Sequence, residues 1–532
     1  MKVSMKKTYK LARTWWNRMR SIVTGIAIAA ALLACNAADE NTELAANEPM
    51  KAVQSVSERA ADGYKALSAV AAGESKIVNE LEQSTAAGSL SKARFATTGT
   101  IAAHRQRPGD INEGKRALLE ESYVSCGIPE RVFRTLQENT DVVGVERSDA
   151  TADGLPFSVN VFSNDENVNV VSSNCLTCHG TVLFGDLVIG LGNEFLDFTN
   201  DASALVERAG ALVQGEAETR AWELYADRIN AIAPYSRTHT LGVNPANNLT
   251  FALTAYRDAD TNAWSQTPLL PLPPTDVPPV SVPPWWRMAK KPAMFNLGEG
   301  RLDHARIMMA ASMLCTDNVE DLKAIDAYAP DIRAFIASLT APSYPFPIDG
   351  ALVEAGRDVF LANCSHCHGS YEGEDDYPAR LVPIELVQTD STLVDFALNE
   401  GAPYIDWFNR SFYGELSTIA PGSGYVAPPL DGIWATAPFL HNGSVPTIAM
   451  VLNSAQRPRY WQLEVNDASD PQSYDQVRMG WAFSELPGGK SDASDIRIYD
   501  TDLPGYGNGG HTFGDHLSAD DRLAVIEYLK TL

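Results

Sequence analysis

Residues 174–180 read NCLTCHG and residues 363–369 read NCSHCHG. Each run holds a CxxC pair followed directly by histidine, and their reading decides the fold. Three chemistries use such clusters: zinc binding, a cycling disulfide and covalent haem attachment. Structural zinc sites converge two ligand pairs, and two CxxC pairs supply four thiolates, but an all-thiolate site leaves each following histidine unexplained. A thioredoxin-like redox pair expects a βαβ context, which the flanking sequence lacks. CxxCH is the signature of a c-type haem. Two thiols add to the two vinyl groups of one porphyrin, and the next residue sits under the iron, where its imidazole can bind. The expected cofactors are two covalently bound haem c groups, one on Cys175, Cys178 and His179, the other on Cys364, Cys367 and His368. His366 is an x position, expected to face solvent or to be hydrogen-bonded, and not to be a ligand.

The compartment fits that chemistry. Lys2, Lys6, Lys7, Lys10, Arg13, Arg18 and Arg20 precede the apolar run SIVTGIAIAAALLA. That run is too short for a comfortable membrane span and reads as a secretory signal. It ends in LLAC, which resembles the bacterial lipobox with Cys35 as the acylated residue; a plain cleavage site near Ala37 is the alternative. The expected location is the periplasm, or the outer membrane of a Gram-negative bacterium by a lipid anchor. Export implies an oxidising compartment. Of seven cysteines, one is the candidate anchor and four lie in the motifs. Cys126 and Cys315 remain, and a disulfide between them is a pairing by elimination. The formal charge of −25 argues against nucleic acid and against an anionic membrane surface as partners. It suits a small cationic cytochrome or other electron donor.

The expected organisation is a signal peptide at 1–34, a tether and N-terminal extension at 35–100, a first cytochrome c-like haem domain at 101–343 and a second at 344–532. The boundary is the proline-rich link TAPSYPFPID after the helical stretch DLKAIDAYAPDIRAFIASL, where Pro330 marks a break or helix start. LVEAGRDVFLANCSHCHG then begins with an amphipathic helix. The chain ends in SADDRLAVIEYLKTL, where Ser518 and Asp521 form a capping-box-like start. Residues 267–286, TPLLPLPPTDVPPVSVPPWW, must be extended and are too apolar for a free linker. Strand signals are few. The expected fold is mainly α: two cytochrome c-like haem domains with long irregular loops and few short strands.

The sixth ligand of each iron decides function. Two strong protein ligands make an electron-transfer site, whereas an open position binds oxygen or peroxide. His511, in the glycine-rich loop YGNGGHTFGDH, is the expected distal ligand of the second haem, with His441 as rival. For the first haem, His304, Met294, Met308 and Met309 are candidates. An open site is favoured, lined by Trp285, Trp286 and Phe295, where a tryptophan can also relay an electron.

The string PPLDGIWATAPFLHNGSVPTI (428–448) resembles the di-haem cytochrome c peroxidase superfamily. Within it the chain is similar to the rubber oxygenases, exported di-haem cytochromes that cleave poly(cis-1,4-isoprene). The other supporting strings are NCLTCHG, PPWWRMAKKPAMFNLGEGRLDHAR (283–306), LVEAGRDVFLANCSHCHG (352–369), RPRYW (457–461) and GNGGHTFGDHLSADDRLAVIEYLKTL (507–532). The resemblance implies two cytochrome c-like cores. It implies an active, dioxygen-binding haem on His179 and a second haem between His368 and His511. The expected function is therefore an oxygenase acting with O2 on an apolar, polyisoprenoid-like alkene. A peroxidase that reduces H2O2 is the alternative, with Glu299, Asp303 or His304 as its acid/base. A non-catalytic electron carrier is the third reading.

Overall fold

Two helix crossings organise the described residues. The computed structural model describes residues 99–137, 143–147, 152–372 and 376–532. The expected signal peptide, Cys35 and nearly all of the N-terminal extension lie outside them. The helix Ile111–Glu120 starts at Asp110, whose side chain accepts from the amides of Asn112 and Glu113. It crosses the helix Ala329–Ser338, which has Pro330 in its first turn, as a helix start requires. At the crossing Gly114 lies so close that a Cβ would stand 1.9 Å from the Asp331 carbonyl oxygen. The helix Gly350–Asn363, capped by Asp349, crosses the last helix, Ala519–Leu529, in the same way. There a Cβ on Gly356 would stand 1.9 Å from the Ala524 carbonyl oxygen. The last helix carries the expected capping box, with Ser518 and Asp521 bonding each other's backbone amides. Only glycine permits either approach. Each crossing anchors a separate core. The first gathers Leu118, Leu176, Trp285 and Phe335. The second gathers Phe360, Trp434, Val525 and Tyr528.

The expectation of a mainly α chain with few strands is corrected. Helix accounts for 38% and strand for 14%, and strands form six small sheets among the described residues. The strands are two to five residues long, and some of them close hairpins. Val159–Ser163 pairs antiparallel with Asn169–Ser173, and Gly180–Leu183 with Asp186–Ile189. The turn of the second hairpin is Phe184–Gly185, both at positive φ. Runs this short show too little alternation to register as strands in sequence. The hairpin Val159–Ser163/Asn169–Ser173 also explains why the first core is longer. It lies between the helix Ile111–Glu120 and the first motif, whereas Asn363 leads directly into the second.

The proline-rich run 267–286 has little regular structure and buries Val277, Val280 and Val282 against the protein. Cys126 and Cys315 are joined by a disulfide. Residues 100–532 pack as one compact unit. No helix among the described residues is long and apolar enough to cross a membrane.

Candidate functional site

Each motif folds as a single helical turn, Leu176–His179 and Ser365–His368. Asn174 starts the first turn. Its side-chain oxygen accepts from the Leu176 amide, and its amide group donates to the Phe157 carbonyl and to Asn160. Tyr123 ties the turn to the helix Ile111–Glu120: the Cys175 amide donates to its hydroxyl, which donates to the Leu118 carbonyl. Asn244 donates to the Cys178 sulfur at 3.3 Å. The second turn ends at Gly369, where φ is 85° and a Cβ would meet the Asp376 carbonyl.

The four motif thiols are not joined in disulfides. Burial pushes Cys178 and Cys367 up to about 11 and Cys364 to about 12, and raises Cys175 as well. A redox pair works through an acidic thiolate, so these thiols are the opposite of one. Nor do the pairs converge, for among the described residues no three His, Cys, Asp or Glu side chains form a metal-binding group.

The imidazoles suit iron. His368 Nδ1 faces the Pro428 carbonyl oxygen at 2.8 Å, which leaves Nε2 as the ligating nitrogen. The Pro283 carbonyl stands beside His179 without closing a hydrogen bond, and Nδ1 there has no partner. Both carbonyls belong to Pro-Pro dipeptides, 283–284 and 428–429. Burial holds His179 at about 4 and His511 at about 3, and it lowers His368 too. All three rings are therefore neutral near pH 7, the form that binds a metal.

The rings of His368 and His511 lie with centroids 6.2 Å apart. Two imidazoles on opposite sides of one ion hold their centres about 6 Å apart, from metal bonds of about 2 Å and ring centres about 1 Å beyond. The spacing fits one iron between them. The backbone that presents His511 is unusual, with φ of 44° there and 68° at Gly510. A Cβ on Gly510 would stand 2.1 Å from the Gln388 carbonyl carbon. Arg457 fastens the loop from a distance, donating to the carbonyls of Asn508, Gly510 and His511. Arg457→Leu strands these acceptors at a cost of about 1–3 kcal/mol. Its low-spin haem signal should fall, as read by absorption spectroscopy. The rival, His441, stacks on Tyr425 at 4.1 Å and bonds its hydroxyl at 3.0 Å.

No second imidazole is in ring contact with His179 among the described residues; its ring partner is Trp285, stacked at 4.7 Å. Trp285 thus lies flat against the proximal histidine. Trp286 turns to the other core and donates to the Asp431 carbonyl at 2.8 Å. Asp431 is three residues from Pro428, so Trp285 and Trp286 link the surroundings of both proximal histidines. Phe295 is 38% exposed at positive φ. His304 is buried at a helix start, with Nε2 toward the Pro292 carbonyl. Asp303 caps that helix and is held by Arg107. Met309 is buried in the first core, with Met294 and Met308 packed against it.

Sequence reasoning missed Tyr123, Asn244, Arg457 and Glu194. The Pro-Pro repeat was a signal for the carbonyls behind the proximal histidines; the others carry none. Glu194 accepts from Ser281 and the Val282 amide, its other oxygen is buried without a partner, and burial lifts it to about 8. It is neutral in the folded chain where an unfolded glutamate, near 4.5, has ionised. Stability held below pH 4.5 is therefore lost as pH rises toward 8. Glu194→Gln should remove this loss, about 1.4 kcal/mol per unit of pH across that window, seen as a smaller fall in Tm between pH 5 and 8.

Comparison with known proteins bears on the same segment. Residues 424–462, which include Tyr425, His441 and Arg457, match the family model described as RoxA-like, cytochrome c-like. Two relatives come from Sinorhizobium fredii (strain NBRC 101917 / NGR234), both uncharacterised. Protein y4iJ is 43% identical over 118 residues, 20% of this chain and 18% of its own length. Protein y4iM is 29% identical over 237 residues, 38% of this chain and 53% of its own. The chain thus spans about half or less of these relatives. A haem cytochrome oxidoreductase is what the family match supports, and over residues 424–462 the chain is similar to the RoxA-like, cytochrome c-like family.

Proposed function

We propose that the protein is an exported di-haem c-type oxygenase. His179 holds a haem left open to dioxygen, and His368 and His511 close the other. One observation carries this reading: His511 faces His368 at 6.2 Å, whereas the ring stacked on His179 is an indole. Haem c, when bound, supplies an iron that passes electrons between two imidazoles and takes O2 or peroxide where one is missing.

The chain's own residues divide the labour. Cys175 and Cys178 fix the first porphyrin edge, positioned by Tyr123 and Asn244. Trp285 sets the plane of His179, and with Trp286 it offers a path for electrons toward His368. Arg457 keeps His511 in place. The substrate is an apolar alkene of the polyisoprenoid kind. A small cytochrome or other donor resets the irons, and an anchor on Cys35 tethers the protein outside the cytoplasm. A peroxidase needs a free acid/base. Asp303 is held by Arg107 and capped into a helix, and His304 Nε2 is turned toward the Pro292 carbonyl, which counts against these two; Glu299, lifted by burial to about 7, is the acid/base a peroxidase would use.

The test is spectroscopic and chemical. CO should perturb half of the haem absorbance, and the protein with O2 should cleave polyisoprene to carbonyl products. Two CO-silent haems would remove any enzyme reading. Rapid H2O2-dependent oxidation of a reduced cytochrome without alkene cleavage would assign a peroxidase instead.

A further inference from the structure

Arg287, which is buried, and Lys291 and Arg333, which are half-buried, form a cationic seam that makes no ion pair of its own among the described residues. Arg287 is 6% exposed; its Nε donates to the Asp431 carbonyl, but Nη2 is buried with no partner. Arg333, on the helix Ala329–Ser338, has its Nε buried and unpartnered. Lys291 is half-buried and makes no ion pair among the described residues. Lys291 follows Arg287 by one helical turn, its amide directed at the Arg287 carbonyl. Burial pulls all three down, Arg287 to about 10 and Lys291 to about 8, with Arg287 opposing Lys291 further.

The carboxylates facing the seam are only partly available. Asp431 is paired with Lys290 through Oδ1, and its Oδ2 is buried without a partner. Asp303 is bound by Arg107. Glu299 accepts from the Leu297 amide, and burial lifts it to about 7, so it is only partly ionised at neutral pH. A buried cation without an anion costs several kcal/mol, so the folded protein should hold anions here. The seam lies between the two motifs. Arg287 stands two residues from Trp285, which stacks on His179, and its charge also reaches His368.

We infer that this seam receives haem propionate carboxylates, with the unpartnered Nη2 of Arg287 bound to a propionate of the haem on His368. The inference rests on the di-haem reading. It adds that one cationic cluster seats both cofactors and tunes their potentials, because a nearby cation favours the reduced iron.

The experiment uses the full haem-loaded chain with Arg287→Met, Lys291→Met and Arg333→Met singly, and Arg287→Lys as the conservative variant. Resonance Raman propionate-bending bands and the midpoint potential of each haem are recorded. Arg287→Met should shift the propionate bands and lower the potential of the low-spin haem, and Arg287→Lys should restore most of both. Bands unmoved in every variant would overturn the assignment. A titration of wild type with inorganic phosphate separates the other anion source. Saturable binding that the variants lose, with propionate bands unchanged, would make this a site for a free anion. If Arg287→Met fails to load haem, Lys291→Met and Arg287→Lys still report on the bands. Absence of covalent haem in wild type, read by pyridine haemochrome, would sink the di-haem reading separately.

Discussion

Cys175→Ala combined with Cys178→Ala will halve the covalent haem of the chain and abolish its CO binding, while the low-spin spectrum of the other haem persists. The physical reason is the asymmetry of the two sites. His368 and His511 stand 6.2 Å apart, a spacing that would close an iron on both sides, whereas among the described residues the ring in contact with His179 is the Trp285 indole. Removing the two thiols takes away the thioether links that hold a porphyrin over His179. Alkene cleavage should fall to background. The reverse pair, Cys364→Ala with Cys367→Ala, should keep CO binding and lose the low-spin bands. Pyridine haemochrome counting with CO difference spectra checks both variants. Persistent CO binding in the first would place the open iron on the wrong motif.

His511→Ala will have the second large effect. With the facing imidazole gone, the His368 iron loses its sixth ligand. CO-binding haem should rise from one to two per chain, and the low-spin bands should vanish. Electron supply to the first site then fails, and turnover drops although Cys175, Cys178 and His179 are untouched. His441→Ala is the control. Its ring stacks on Tyr425 and bonds the Tyr425 hydroxyl, so the low-spin spectrum should survive its loss. If His441→Ala rather than His511→Ala opens the second iron, the pairing of the two rings is wrong.

The candidate haem-attachment residues stand out in the sequence because covalent haem attachment is a local constraint. Two thiols and an imidazole must come from five consecutive residues, so CxxCH needs no fold to be read. The helix starts were legible for the same reason. Pro330 falls in a first turn, and Ser518 with Asp521 forms a cap, each within four residues. His511 was legible through its glycines, since only Gly510 tolerates the approach to Gln388 that turns the loop inward. The strands were not legible. Many of their pairings are with segments distant in sequence, and runs of two to five residues carry too little pattern to stand out from loops.

The sequence by itself determined which atoms are offered to a porphyrin, because the residues of each CxxCH motif are neighbours along the chain. What faces them was decided only by the tertiary structure. His368 and His511 are 143 residues apart, and Arg457 holds the His511 loop from 54 residues away. Trp285, expected with Trp286 and Phe295 to line an open site, lies flat on His179. Its neighbour Trp286 reaches the segment behind His368. No spacing rule sets such distances. They follow from two glycine-mediated helix crossings, which fix each motif against its own core and leave the segment 283–291 between them.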